Sequence, residues 1–216
     1  PRGRSSYARR SQVRSTQRVL VVCEGQTEEA YFKAIRRTLG LSGLALDVRL
    51  GQGTDPLSLL KTAEARVKGS QAQGPAFVRA WCVFDREGST NTVSYQDAVR
   101  QAPQIQANLR RRDRRFELGL VCSNVCFELW FLLHFAYTTA PTGTARRVLD
   151  RLRVHLPDYD KGDDAAFHTL WPLVPQASAN AQRLRDHHTQ VGSGRHPDPS
   201  TDVDRLVAAL RALKAG

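Results

Sequence analysis

Short, continuous apolar runs recur along this chain, and each breaks off abruptly into polar or acidic residues. Arg18 to Cys23 reads RVLVVC, Phe77 to Phe84 reads FVRAWCVF, and Phe116 to Val121 reads FELGLV. Runs of this length, rich in β-branched and aromatic residues, fit strands buried on both faces. Segments of helical period lie between them. Tyr31, Phe32, Ile35 and Leu39 share one helical face, Lys33, Arg36 and Arg37 take the other, and Gly40 closes the helix. Thr27 is placed to cap it, with Glu28 and Glu29 in its first turn. Leu44, Leu46, Val48 and Leu50 alternate with polar or small residues, the pattern of a half-buried second strand. Asp55-Pro56 supplies a cap and a first helical position ahead of the stripe Leu59, Leu60, Ala63 and Val67. A further helix is expected from about Ser94 to Arg112, broken or kinked near Pro103. Phe127 to Phe135 is apolar almost all round and reads as a buried helix.

Strand and helix therefore alternate, which predicts an α/β fold: a central, mostly parallel four-stranded sheet flanked by helices. Residues 1–17 are basic, serine-rich and aperiodic, a flexible arm. The main domain is expected over 18–140. Residues 141–216 form a helical C-terminal extension packed on it, with helices near 144–155, 164–170, 177–188 and 201–213. Ser200 or Thr201 would cap the last of these, and Val191–Pro199 is the most flexible interior loop.

The formal charge of +11 points to an anionic partner. Six arginines, Arg2, Arg4, Arg9, Arg10, Arg14 and Arg18, precede any acid, and Arg110, Arg111, Arg112, Arg114 and Arg115 form a second cluster. Such clusters attract polyphosphate because binding releases condensed counterions, so nucleic acid is the first partner to consider. They also simply keep proteins soluble. No apolar run approaches the roughly 18 residues of a membrane span, and no apolar segment follows the basic start as in a secretory signal. A cytoplasmic location is the expectation. The four cysteines, Cys23, Cys82, Cys122 and Cys126, lie in or beside apolar runs, where thiols act as small hydrophobes, and a second Cys/His pair at zinc spacing is missing.

What stands just past each strand carries the chemistry. Glu24 follows the first, Asp85-Arg86-Glu87 ends the third, and the fourth runs into Cys122-Ser123-Asn124 with Glu128 shortly after. In a parallel sheet these positions share one edge, the edge where open α/β sheets bind ligands. Carboxylates gathered there repel one another unless a proton or cation intervenes. Mg²⁺ or Mn²⁺ would answer that need, taking one or two carboxylates and completing its shell with water and substrate phosphate. Each acid alone also has a structural reading, as a helix cap or an ion-pair partner.

These residues resemble a known family. Val22-Cys23-Glu24-Gly25-Gln26-Thr27-Glu28, Val83-Phe84-Asp85-Arg86-Glu87, and Ser123-Asn124-Val125-Cys126-Phe127-Glu128-Leu129-Trp130 with His134-Phe135 are similar to segments of the RloB family. Weaker matches are Tyr159-x-Lys161 and Pro199-Ser200-Thr201-x-Val203. The resemblance implies a Toprim-like fold, with 18–140 as the catalytic domain. It implies that Glu24 is a metal ligand or general acid/base, that Glu28 is a supporting acid, and that Asp85 and Glu87 are a pair of metal ligands. Glu87 stands where the pattern has aspartate, and Val125 where it usually has proline. The activity implied is a Mg²⁺- or Mn²⁺-dependent nuclease acting on RNA or DNA in prokaryotic anti-phage defence, of abortive-infection type, beside an ATPase partner protein. A homodimer is a further expectation.

The site expected from the sequence thus joins catalytic Glu24, Asp85, Glu87 and Glu128 to metal-binding Glu24, Glu28, Asp85 and Glu87. Arg18, Arg86, Arg110, Arg111, Arg112 and Lys161 are the expected nucleic-acid contacts. Two other readings stand beside it: a non-catalytic nucleic-acid-binding or ATPase-partner module with a vestigial metal site, and a Mg²⁺-dependent phosphoryl-transfer enzyme acting on nucleotides. Gly51-x-Gly53 lacks the third glycine of a dinucleotide fingerprint, and no Gly-x-x-x-x-Gly-Lys loop for ATP is present. His187 and His188 read as solvated, and His134, on an apolar helix, as a core histidine.

Overall fold

A computed structural model describes residues 18–53, 55–70, 75–86, 92–162 and 165–215. The basic arm expected over 1–17 lies outside them, and so does Glu87. β1 (Arg18–Cys23) is buried along its whole length, as its apolar run predicts. α1 (Gln26–Leu39) follows it, then β2 (Leu46–Leu50), α2 (Pro56–Gly69), β3 (Phe77–Asp85) and α3 (Thr92–Arg110). β4 (Glu117–Asn124) leads to the short α4 (Glu128–Leu132), then α5 (Ala145–Arg153), α6 (Ala165–Leu170), α7 (Val174–Gln190), β5 (Ser200–Thr201) and α8 (Val203–Ala215).

The sheet has five strands in the order β2-β1-β3-β4-β5. The first four are parallel, and β5 pairs antiparallel with the end of β4 through Ser123 opposite Thr201 and Asn124 opposite Ser200. The sequence reading missed β5 because two residues carry no periodicity. It also ended the fourth strand three residues early. Cys122-Ser123-Asn124 belong to the strand, since β3 pairs with Cys122 and Ser123 and β5 with Ser123 and Asn124.

Alternation along β1 divides the interior in two. Val19, Val21 and Cys23 face a core built with Phe32 and Ile35 of α1, Trp130 of α4, Ala177 of α7 and Leu206 and Leu210 of α8. Leu20 and Val22 face the opposite core, with Leu59 and Leu60 of α2 and Ala98 and Leu109 of α3. The C-terminal helices therefore complete the first core. α3 runs unbroken through Pro103, where the sequence suggested a break or kink. The four thiols are buried.

Local signals were read well at α2 and less well at α1. Asp55 accepts from the Leu57 and Ser58 backbone N–H groups at 3.1 Å each, and Pro56 opens the helix. Thr27 does not cap α1: the cap position is Gly25, without a side-chain bond, and Thr27 Oγ1 instead accepts from the Gly162 N–H at 3.1 Å. The loop expected to be most flexible is tied down. Arg86 donates to the Arg195 and His196 carbonyls at 2.8 Å each, and Asn124 donates to His196 O at 2.8 Å. His188 is 8% exposed, its Nε2 on Pro199 O at 2.8 Å, so it is a buried tie and not a solvated residue. Among the described residues, no helix is long and apolar enough to cross a membrane.

Asp55 also accepts from the Ser94 hydroxyl at 2.5 Å, so it links α2 to α3 as well as capping. Asp55→Ala should lower folding stability by about 0.5–2 kcal/mol, the usual range for losing a cap. Urea denaturation would measure this, and an unchanged midpoint would show that the cap contributes nothing here.

Candidate active site

Because β1, β3 and β4 are parallel and in register, their carboxyl ends open on one edge of the sheet. A cleft of about 370 Å³ lies there, lined by Glu24, Gly25, Thr27, Glu28, Asp85, Glu128 and Lys161, with Gln26, Phe127 and Gly162. Glu24 leaves the end of β1, and its Oε2 accepts the Asp85 backbone N–H at 2.9 Å. That bond crosses from one strand end to the next and holds the two acids together. Glu28 comes from the first turn of α1, where the helix dipole favours an anion. Gly25 permits its approach, since a Cβ at that position would stand 2.7 Å from Glu28 Oε2.

Glu128, first residue of α4, is 2% exposed. A carboxylate so buried is costly without partners, and it has two from the segment after α5. Tyr159 donates its hydroxyl to Glu128 Oε1 at 3.3 Å, and Lys161 Nζ stands 3.3 Å from the same oxygen. Burial alone would lower the Lys161 ammonium, but Glu128 beside it outweighs that and raises it, so the lysine stays charged.

Crowding shows in the acids themselves. Burial first, then the Glu128 and Glu24 charges, push the Glu28 carboxyl up to about 7. Asp85 is raised well above the carboxylate range, by burial and then by Glu28, Glu128 and Glu24, with the Phe127 N–H opposing. Asp85 Oδ1 is buried without a hydrogen-bond partner. A buried acceptor left so is costly unless a proton or cation meets it.

Several expected contacts stand elsewhere. Arg18 is 4% exposed at the start of β1, over the Phe77 ring and 4.0 Å from Asp47, so it is a core ion pair at the opposite edge. Arg110, Arg111 and Arg112 follow α3 back to that far edge, where Arg110 binds Phe116 O and Arg112 binds Lys68 O. Arg86 is at the correct edge, but its guanidinium lies over Tyr95 and holds the 195–196 backbone. Of the six basic residues expected to contact nucleic acid, Lys161 lines the cleft. His134 is a core histidine, held neutral by burial that lowers it to about 4, with Nδ1 on Trp130 O.

The donor set fits a hard divalent cation. Carboxylate oxygens are what Mg²⁺ and Mn²⁺ take, and the orphaned Asp85 oxygen is the kind of atom a cation would satisfy. Among the described residues, no three His, Cys, Asp or Glu side chains already stand together at ligand spacing. The fit is therefore to an ion held by one or two carboxylates, with water and phosphate completing its shell.

The fold is thus an α/β protein with a mostly parallel sheet and buried acids past its strand ends, at the edge where open α/β sheets bind ligands. The chain belongs to the RloB-like protein family, whose pattern matches residues 19–210. Comparison with curated proteins and with solved structures found no match.

A carboxyl raised by folding keeps its proton longer in the folded chain than in the unfolded one. Its contribution to stability is thus full below the ordinary carboxylate range and is lost as pH rises through about 7 for Glu28. In metal-free buffer the melting temperature should fall as pH rises from about 5 to about 8. Glu28→Gln should flatten that fall and added Mg²⁺ should reverse it; a melting temperature rising over this window would contradict the assignment.

Proposed function

We propose that this protein is a divalent-metal-dependent nuclease that cuts phosphodiester bonds of RNA or DNA. The observation that carries the reading is the cleft itself: Glu24, Glu28, Asp85 and Glu128 converge at one sheet edge, with Lys161 among them. Four acids in a half-enclosed site serve a fold poorly unless they bind a cation, because burial and mutual repulsion both oppose their charge. Membership of the RloB-like family and the Toprim-like pattern of strand-end acids agree with this reading. On the same resemblance we assign the activity to defence against phage, with an ATPase partner.

Within that reading Asp85 and Glu24 would hold Mg²⁺ or Mn²⁺, with Glu28 as a further ligand once its proton leaves. When bound, the ion would polarise the scissile phosphate and acidify water. Glu24, fixed by the Asp85 N–H, would take a proton from an attacking water. Lys161, in the cleft beside Glu128, would offset the charge of a bound phosphate. Tyr159 and Lys161 together hold Glu128 in place, which makes Glu128 a positioning residue first.

Purified protein with Mn²⁺ should nick or degrade RNA or DNA, and a chelator should stop it. Glu24→Gln keeps an oxygen for the Asp85 N–H while removing the base, so activity should fall at least 100-fold, the usual scale for losing a general base, with the fold intact. Full activity in that variant would refute the assignment. Salt-sensitive binding without turnover would favour the non-catalytic module instead, and turnover of mononucleotides alone would favour the phosphoryl-transfer enzyme.

A further inference from the structure

The cluster around Arg110 and Arg112 stands away from the cleft, and a different basic surface lies on α5, which packs on α4. α5 reads ARRVLDRLR and spans nine residues, about 13 Å of helix. It packs on α4, whose first residue is Glu128, through Val148 and Leu152, both fully buried. Its remaining faces carry Arg146, Arg147, Arg151 and Arg153, all exposed. From its last turn the chain runs directly to Tyr159 and Lys161, the two residues that hold Glu128. The helix is thus joined to the cleft in two ways, by its packing on α4 and by the segment that carries the cleft's lysine.

Among the described residues, α5 carries four arginines against one acid of its own. Asp150 is its single acid, 4.0 Å from Arg146 and weakly placed to serve it. Among the described residues no ion pair reaches Arg147, Arg151 or Arg153. Arg147 and Arg151 are four apart, so they are neighbours on one flank of the helix. Like charges at that spacing repel and weaken a helix. A flank that repels itself is relieved by an external polyanion. At the far edge Arg110, Arg112 and Arg115 are engaged with the protein's own backbone or with Asp113, while Arg111 and Arg114 are exposed.

We infer that α5 is the docking surface for the sugar-phosphate backbone of a nucleic acid, with Arg147 and Arg151 as its principal phosphate contacts. The inference rests on the nuclease reading for its biological sense, but it concerns binding and is measured without catalysis. Backbone contacts of this kind position a polymer without reading its sequence. RNA and DNA share the chemistry, and the two must be compared directly.

The test is fluorescence anisotropy in chelator with labelled duplex RNA, duplex DNA and single strands, using full-length protein over a range of salt. Arg147→Glu/Arg151→Glu should weaken binding at least tenfold and reduce the slope of log affinity against log salt by about 2 for duplex DNA, close to 0.9 per lost phosphate contact. Arg111→Glu/Arg114→Glu changes the net charge equally at the far edge and should bind as the unaltered protein does. Should the glutamate pair fail to fold, Arg147→Gln/Arg151→Gln removes the same contacts and the same repulsion. Equal losses from both edges, or no loss from either, would overturn the assignment, as would no binding by the unaltered protein at low salt. Cleavage with Mn²⁺ alongside unaffected binding by the α5 variants would sink the surface and leave the nuclease reading standing. Selective loss of binding without any cleavage would do the reverse.

Discussion

One hydrogen bond, from the Asp85 backbone N–H to Glu24, sets how the acidic edge is built. It joins the ends of two parallel strands whose register has already placed Cys23 beside Val83. Parallel pairing thus does more than form a sheet. It brings a glutamate and an aspartate, 61 residues apart in the chain, to one point, and every other acid in the cleft is arranged around that pair.

The energetic consequence is a site held under electrostatic tension. Glu28 enters from a helix start, Glu128 from a helix that is otherwise core, and both raise the cost of charge on Asp85. Protons or a cation must offset this, since Lys161 is the one cationic side chain among the residues lining the cleft. Gly25 matters for the same reason: without a side chain it lets the Glu28 carboxylate close on the strand end. The result is an acid cluster whose occupancy, by hydrogen or by metal, is coupled to its stability.

The C-terminal third is part of this machinery. Its helices share a core with β1 and α1, and the segment before α6 delivers Tyr159 and Lys161 to Glu128. Arg86, next to Asp85, is bonded to the 195–196 backbone, while Ser123 meets Thr201 across the last strand pair. The edge that carries the acids is therefore fastened from the far end of the chain. Basic charge is spread over both edges, with exposed arginines on α5, which packs on α4, and Arg110 and Arg112 bound to the protein's own carbonyls at the opposite edge.

Much of this architecture was legible in local pattern. Valine-rich runs marked the buried strands, Asp55-Pro56 marked a helix start, and the acids after β1 and β3 marked an edge, because strand polarity alone puts strand ends together. Pairing between distant segments was not legible. β5 is too short to show a period, and Thr27 looked like a cap because nothing nearby revealed that Gly162 would claim its oxygen. Arg18 and Arg110 looked available because charge density in a sequence says nothing of what each guanidinium will meet. The sequence by itself determined the strands, the helices and which residue types would gather at one edge. Only the tertiary structure decided which charges are left without partners, since that depends on contacts between residues far apart in the chain.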